Sequence, residues 1–185
     1  MIKKRVVLIL SILIISIIAI VVEKDTINKF LYPKKYSQYV EKYSNKYNLD
    51  ENLVYSVIKA ESKFRPNAQS HKGAKGLMQI SDITKDWAIE ELGIKNIDIF
   101  NPETNIMVGC WYLNKLYKEF GNIDLVVAAY NGGSGNVKKW LNNNDYSKDG
   151  KILHNIPFEE TSNYVIKVSK NYKKYSDIYN KKGRN

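Results

Sequence analysis

The 185-residue sequence predicts a mainly α-helical domain carried behind a single N-terminal apolar segment. Three features predict it. Apolar residues recur at three- and four-residue steps in several stretches, and those stretches are bracketed by capping residues, glycines and prolines. No stretch alternates apolar and polar residues for long enough to make a strand, and no internal repeat is visible.

The first element is residues 1–25. Val6 to Val22 is an unbroken run of Val, Leu, Ile, Ala and two Ser, about 17 residues or about 25 Å as a helix, at the short end of a membrane span. A buried core helix is a poor alternative for so apolar a run at the extreme N-terminus. A signal peptide competes, but its apolar region normally runs about 7–15 residues and ends in small residues at a cleavage site. Here the run ends Ala19-Ile20-Val21-Val22-Glu23. The preferred reading is therefore an uncleaved transmembrane helix, with secretion as the consequence of cleavage. Lys3-Lys4-Arg5 ahead of the run places the N-terminus in the cytoplasm and the remaining chain outside the membrane.

Residues 26–35 read as a connector, with Pro33 discouraging helix before it. Residues 36–185 form the domain. Tyr36, Tyr39, Val40, Tyr43 and Tyr47 mark the inner face of its first helix. Asn48 or Asp50 caps a second helix with the stripe Leu53, Val54, Val57 and Ile58, bounded by Pro66. Asn101-Pro102, a cap with proline at the first helical position, opens a long helix through Ile106, Cys110, Leu113, Leu116, Tyr117 and Phe120, stopped by Gly121. Asp124 to Tyr130 is a short apolar helix broken by Gly132-Gly133. Val137 to Leu141 adds a turn, and Glu160 to about Tyr179 forms the last helix.

Composition narrows the chemistry. Hydrophobic residues at 44% and charged residues at 26% fit a folded chain, while a net charge of +10 favours a polyanionic partner: nucleic acid, anionic lipid or cell wall. An extracellular domain meets wall polymer rather than nucleic acid. The lone Cys110 excludes an internal disulfide and reads as packing. His71 and His154, the only histidines, belong to no Cys/His cluster or HExxH pattern, so no metal or other cofactor is expected. Carboxylates, hydroxyls and amides must carry any catalysis.

One carboxylate is singled out by position. Extending the stripe Val54, Val57, Ile58 by three or four residues reaches Glu61, on the inward face at the helix C-terminus. Burial and the negative end of the helix dipole both disfavour its ionisation, and an acid still protonated near neutrality can donate to a leaving oxygen. For an arbitrary helical Glu, a salt bridge or a solvent-facing rotamer is the commoner outcome. The loop that follows supplies further signal, because Gly73 and Gly76 permit tight turns and close approach of a ligand. It is not a phosphate loop, since Lys75 lacks the required Gly-Lys-Ser/Thr order.

These residues resemble a known family. Glu61-Ser62, Pro66, Ser70, Gly73-Ala74 and Gly76-Leu77-Met78-Gln79-Ile80 are similar to the first signature of the lytic transglycosylase domain, related to goose-type lysozyme. Ala129-Tyr130-Asn131-Gly132-Gly133 resembles its second signature, and Ile156 to Val165, with Glu160, its third. The resemblance implies a lysozyme-like helical fold that grips peptidoglycan glycan strands, works without a cofactor, and is a monomer. It implies Glu61 as the sole catalytic acid/base, with Ser70, Gln79, Tyr130, Asn131 and Glu160 lining the groove. It leaves Leu77, Met78 and Tyr164 as packing. One departure is visible: Ser81-Asp82 stands where the family often has Met-Pro, which replaces an apolar groove contact with a polar one.

The implied reaction is cleavage of the MurNAc-GlcNAc bond with closure of the muramic acid 6-hydroxyl onto C1, leaving a 1,6-anhydro end. Ordinary glycosidases use two carboxylates, and no signature supplies a second. A hydrolytic muramidase on the same scaffold and a non-catalytic wall-binding module remain open at this level.

Overall fold

The computed structural model describes residues 23–180 apart from Asp25 and Asn96. The expected transmembrane segment Val6–Val22 lies outside the described residues, and no helix among them is long and apolar enough to cross a membrane. Seven named helices follow the connector: α1 (Ser37–Tyr47), α2 (Glu51–Glu61), α3 (Asp82–Leu92), α4 (Pro102–Phe120), α5 (Ile123–Gly132), α6 (Ser134–Leu141) and α7 (Glu159–Tyr179).

Capping side chains set several boundaries. Asp50 accepts from the Asn52 amide to open α2, Asn101 from Thr104 to open α4, and Asn122 from Asp124 and Leu125 to open α5. Gly121, at φ 65°, closes α4 by donating its N–H to the Tyr117 carbonyl.

Helix α2 packs on α1 and α7, α7 on α5, α5 on α4, and α4 back on α1, so five helices close a ring around the core. α2 is enclosed most completely, with every residue from Asn52 to Ile58 buried. Its serines are satisfied locally: the Ser56 hydroxyl donates to the Asn52 carbonyl, and Ser62, just past the helix, donates to Ile58, whereas Asn52 Nδ2 reaches across to Asn180. α3 leans on α4 from outside, and α6 packs on α5.

Three sequence expectations need correction. The connector is helical at residues 26–31, and only the stretch around Pro33 is irregular. Proline limits the residue immediately before it, and this helix ends early enough to escape that restriction. The region around Val137 is a full helix, α6, rather than a turn. Helix α3 was not foreseen, because Ile83 and Trp87 face solvent and Ala88 is its only buried residue.

The loop between α2 and α3 folds back by isolated bridges, Gln69 with Lys75 and Lys75 with Ile80. Its anchor is the buried Asn105 of α4, whose side chain donates to the carbonyls of Lys75 (2.9 Å) and Ile99 (2.8 Å) and accepts from the Met78 amide (2.7 Å). Gly76, at φ 78°, lies so close to this amide that a Cβ there would stand 2.2 Å from Asn105 Nδ2.

Candidate active site

Glu61 is the last residue of α2 and partly buried, four positions after Val57 and three after Ile58 on the same helix. Its carboxyl pKa is pushed up to about 7. Burial is the main cause; the Tyr164 hydroxyl and the charge of Lys167 oppose it, and the negative charge of Glu160 adds to it. The carboxyl is therefore poised to give up or take a proton near neutral pH.

The carboxyl faces a cleft of about 580 Å³. Ser70, Gln79, Tyr130, Asn131 and Glu160 all line it with Glu61, so the structure brings together all six residues singled out in the sequence. They arrive from four places in the chain: the end of α2, the loop, the end of α5 and the start of α7.

Most are held by bonds to the backbone or to a neighbour. Ser70 accepts from the Ala74 amide at 3.0 Å, closing the turn that carries Gly73. Gln79 adopts φ 50°, unusual for a non-glycine residue, and its Nε2 donates to the carbonyls of Ala68 and Gly76, which leaves its amide oxygen as the group able to accept from a ligand. The Tyr130 hydroxyl donates to the Met78 carbonyl at 2.8 Å, tying α5 to the loop. Asn131 Oδ1 accepts from Thr161 at 2.8 Å, which reserves its Nδ2 as a donor. Glu160 behaves differently. It is largely exposed and pairs with Lys72 across the mouth of the cleft at 2.9 Å, so it is not a helix cap.

Sequence reasoning missed several contributors. Tyr164, assigned to packing, is buried with its hydroxyl close to Glu61; it makes no complete hydrogen bond but favours the carboxylate form. Its position four residues beyond Glu160, one turn along α7, was the available signal. Tyr112 also lines the cleft, with its ring 5.4 Å from that of Tyr130, and Trp111 and Trp87 continue the aromatic row outward. Ser81, the departure from the expected Met-Pro, lines the cleft and caps α3 by accepting from the Thr84 amide. Among the described residues, no three His, Cys, Asp or Glu side chains gather as a metal site.

The family model of the transglycosylase SLT domain matches residues 38–153, which hold the loop and the helices α2 to α5 that line the cleft, while Glu160 of α7 lies beyond the match. The chain belongs to this transglycosylase SLT domain family. It is 33% identical over 143 residues to the soluble lytic murein transglycosylase of Salmonella typhimurium, covering 74% of this chain and 22% of that protein. Against the membrane-bound lytic murein transglycosylase F of Desulfosudis oleivorans it is 39% identical over 106 residues, 54% of this chain and 22% of that one. The 70 kDa soluble lytic transglycosylase of Escherichia coli superposes with a TM-score of 0.72 at 28% identity, covering 81% of this chain and 25% of that one. The SLT fold is thus the lysozyme-like helical fold expected from the signatures, and this chain spans about a quarter or less of the length of these three relatives.

Proposed function

We propose that this SLT domain protein is a peptidoglycan lytic transglycosylase, held at the cell membrane by residues 1–25 and acting on the extracellular side. The observation that carries the reading is Glu61, a carboxyl raised to about 7 by burial and facing the cleft. Glu160 is the one other carboxylate lining that cleft among the described residues, and its pairing with Lys72 at the exposed mouth leaves it poorly suited to act as a nucleophile.

In this mechanism Glu61 enters protonated and gives its proton to the oxygen of the leaving N-acetylglucosamine as the bond to muramic acid C1 breaks. The acetamido group of the muramic acid supports the positive charge at C1. Glu61, now a carboxylate, removes the proton from the same sugar's 6-hydroxyl, whose oxygen closes onto C1. An attacking hydroxyl on the same sugar outcompetes water because proximity is already supplied. The acid is restored in its protonated form, and no water is consumed. The amide oxygen of Gln79 and the Nδ2 of Asn131 are suited to hold sugar hydroxyls and acetamido groups, Ser70 and Tyr130 hold the walls that present them, and Glu160 borders the entrance.

The test is the mass of the products released from purified peptidoglycan. Muropeptides one water lighter than those of a muramidase are expected. Fully hydrated ends instead would establish the hydrolytic reading, and equal release by wild type and Glu61→Gln would sink both.

A further inference from the structure

A second cavity, of about 430 Å³, shares no lining residue with the groove. Phe30, Leu31, Pro33 and Phe64 give it an apolar floor, and Lys35, Lys59, Lys63 and Lys167 stand around it. Several lysines elsewhere are paired, Lys34 with Glu51, Lys42 with Glu103, Lys72 with Glu160 and Lys138 with Glu119, while others stand singly on the surface; here four converge on one cavity. None of the four cavity lysines makes an ion pair among the described residues, and no carboxylate lines the cavity. Lys59 donates to the Leu31 carbonyl and Lys167 to that of Ala60, which fixes two of the cations in place. The potential they build is felt within the cluster, since Lys59 is held below the usual lysine range by burial and then by Lys63 and Lys167. The wall at Lys63 and Phe64 is two consecutive non-glycine residues in the left-handed region, φ 53° and 64°, a strained corner that keeps Lys63 outward while Phe64 is buried.

Beside the cations, the helical connector exposes Ile27, Phe30 at 82%, and Leu31. Single exposed apolar residues are ordinary, but three on one short helix next to four uncompensated lysines make an amphipathic surface of the kind that lies in a lipid interface. Its location selects the lipid. Only Glu23 to Thr26 separate Ile27 from the end of the apolar run at Val22, a reach of at most about 18 Å even if fully extended. A chain anchored through Val6–Val22 cannot carry this surface far from the bilayer.

The geometry points to a membrane-docking face: Ile27, Phe30 and Leu31 enter the interface of the outer leaflet while Lys35, Lys59, Lys63 and Lys167 bind the phosphates of anionic phospholipids there, seating the domain on the membrane in one orientation. This rests on the proposal that residues 1–25 remain as an anchor. Docking by lysines is electrostatic and is released by salt, whereas an apolar span is not.

The test reconstitutes the full chain in nanodiscs of phosphatidylcholine alone, or of phosphatidylcholine mixed with phosphatidylglycerol, and follows amide hydrogen exchange in peptides covering residues 26–35 and 59–66. Slower exchange is expected in the anionic discs only, reversed by high salt. The exposed pair Lys35→Glu and Lys63→Glu should abolish it, since each lysine at an anionic surface is worth about fivefold in association and the pair at least about twentyfold. Phe30→Ser, at a fully open position, should weaken it without touching a lysine. Equal exchange in both discs, or protection that the charge-reversed pair retains, overturns the docking. Protection that requires added anionic wall polymer rather than anionic lipid also overturns it, in favour of a polymer site. Loss of the chain from both kinds of disc would instead refute the anchor, and the docking with it.

Discussion

Replacing Glu61 by Gln should stabilise the protein, by an amount that grows from about pH 4.5 and is complete above about pH 7. The carboxyl has an ordinary value of 4.5 and a folded value of about 7, set mainly by burial. Below 4.5 both folded and unfolded chains hold the proton, and Glu61 resembles the amide that replaces it. Between the two values the folded chain keeps the proton while the unfolded chain releases it, so stability falls as pH rises. Above 7 the penalty is complete, at about 3 kcal/mol. For a domain of this size that corresponds to about 6–12 °C in melting temperature. Calorimetric melts of wild type and Glu61→Gln from pH 4 to pH 9 should therefore nearly coincide at pH 4, diverge progressively from about pH 4.5 and hold a constant separation above about pH 7, with the variant the more stable. A difference independent of pH, or a wild type more stable than the variant at pH 8, would refute the buried acid. The same variant should release no muropeptides, so function and stability move in opposite directions at a single residue.

The remaining predictions concern what surrounds this carboxyl. Cleavage by the wild type should fall with rising pH along a limb near 7, and Lys167→Met should shift that limb upward, because removing the cation weakens support for the carboxylate; a pH–rate profile checks both. Tyr164→Phe should shift the limb in the same direction by removing the hydroxyl that favours ionisation, whereas a residue that only packs would lower the rate without moving the limb. Asn105→Ala should destabilise the protein by about 2–4 kcal/mol in urea denaturation, since the buried Met78 amide and Ile99 carbonyl lose their partner. Gly76→Ala, strained by its φ and pressed against Asn105 and the Ile99 carbonyl, should destabilise comparably and slow cleavage by displacing Gln79.

Where side chains declare themselves locally, the sequence was readable. Asp50, Asn101-Pro102 and Gly121 are boundary chemistry, and they bracket α2 and α4 as observed. The run Leu125 to Ala129 is apolar on all sides and is buried on all sides. Helix α3 escaped because its apolar residues face outward and its inner face is nearly bare, so no stripe marks it. The site was readable as far as its signatures reached, and the cleft is lined by each of the six residues that the resemblance assigned to it. Asn105 and Tyr164 lay beyond that reach. Each looks unremarkable within its own helix, and each matters through what a distant segment brings against it: the loop in one case, the end of α2 in the other.

The enclosure of α2 makes the two walls of the groove mechanically unequal. A helix wrapped by its neighbours from Asn52 to Ile58 cannot swing or slide without opening the core, so the carboxyl at its end is a fixed post to which, in the proposed function, a sugar strand is brought. Another part of the lining comes from α3, which packs mainly on α4, is tied to the loop by Lys75 and Asp82, and presents Ile83 and Thr84 to the cleft from its first turn. That part can shift, or exchange residues, without disturbing the carboxyl. Under the proposed function, grip on the polymer and the chemistry performed on it would therefore be separable in this fold, with the choice of strand retuned at α3 while the reaction stays where α2 holds it.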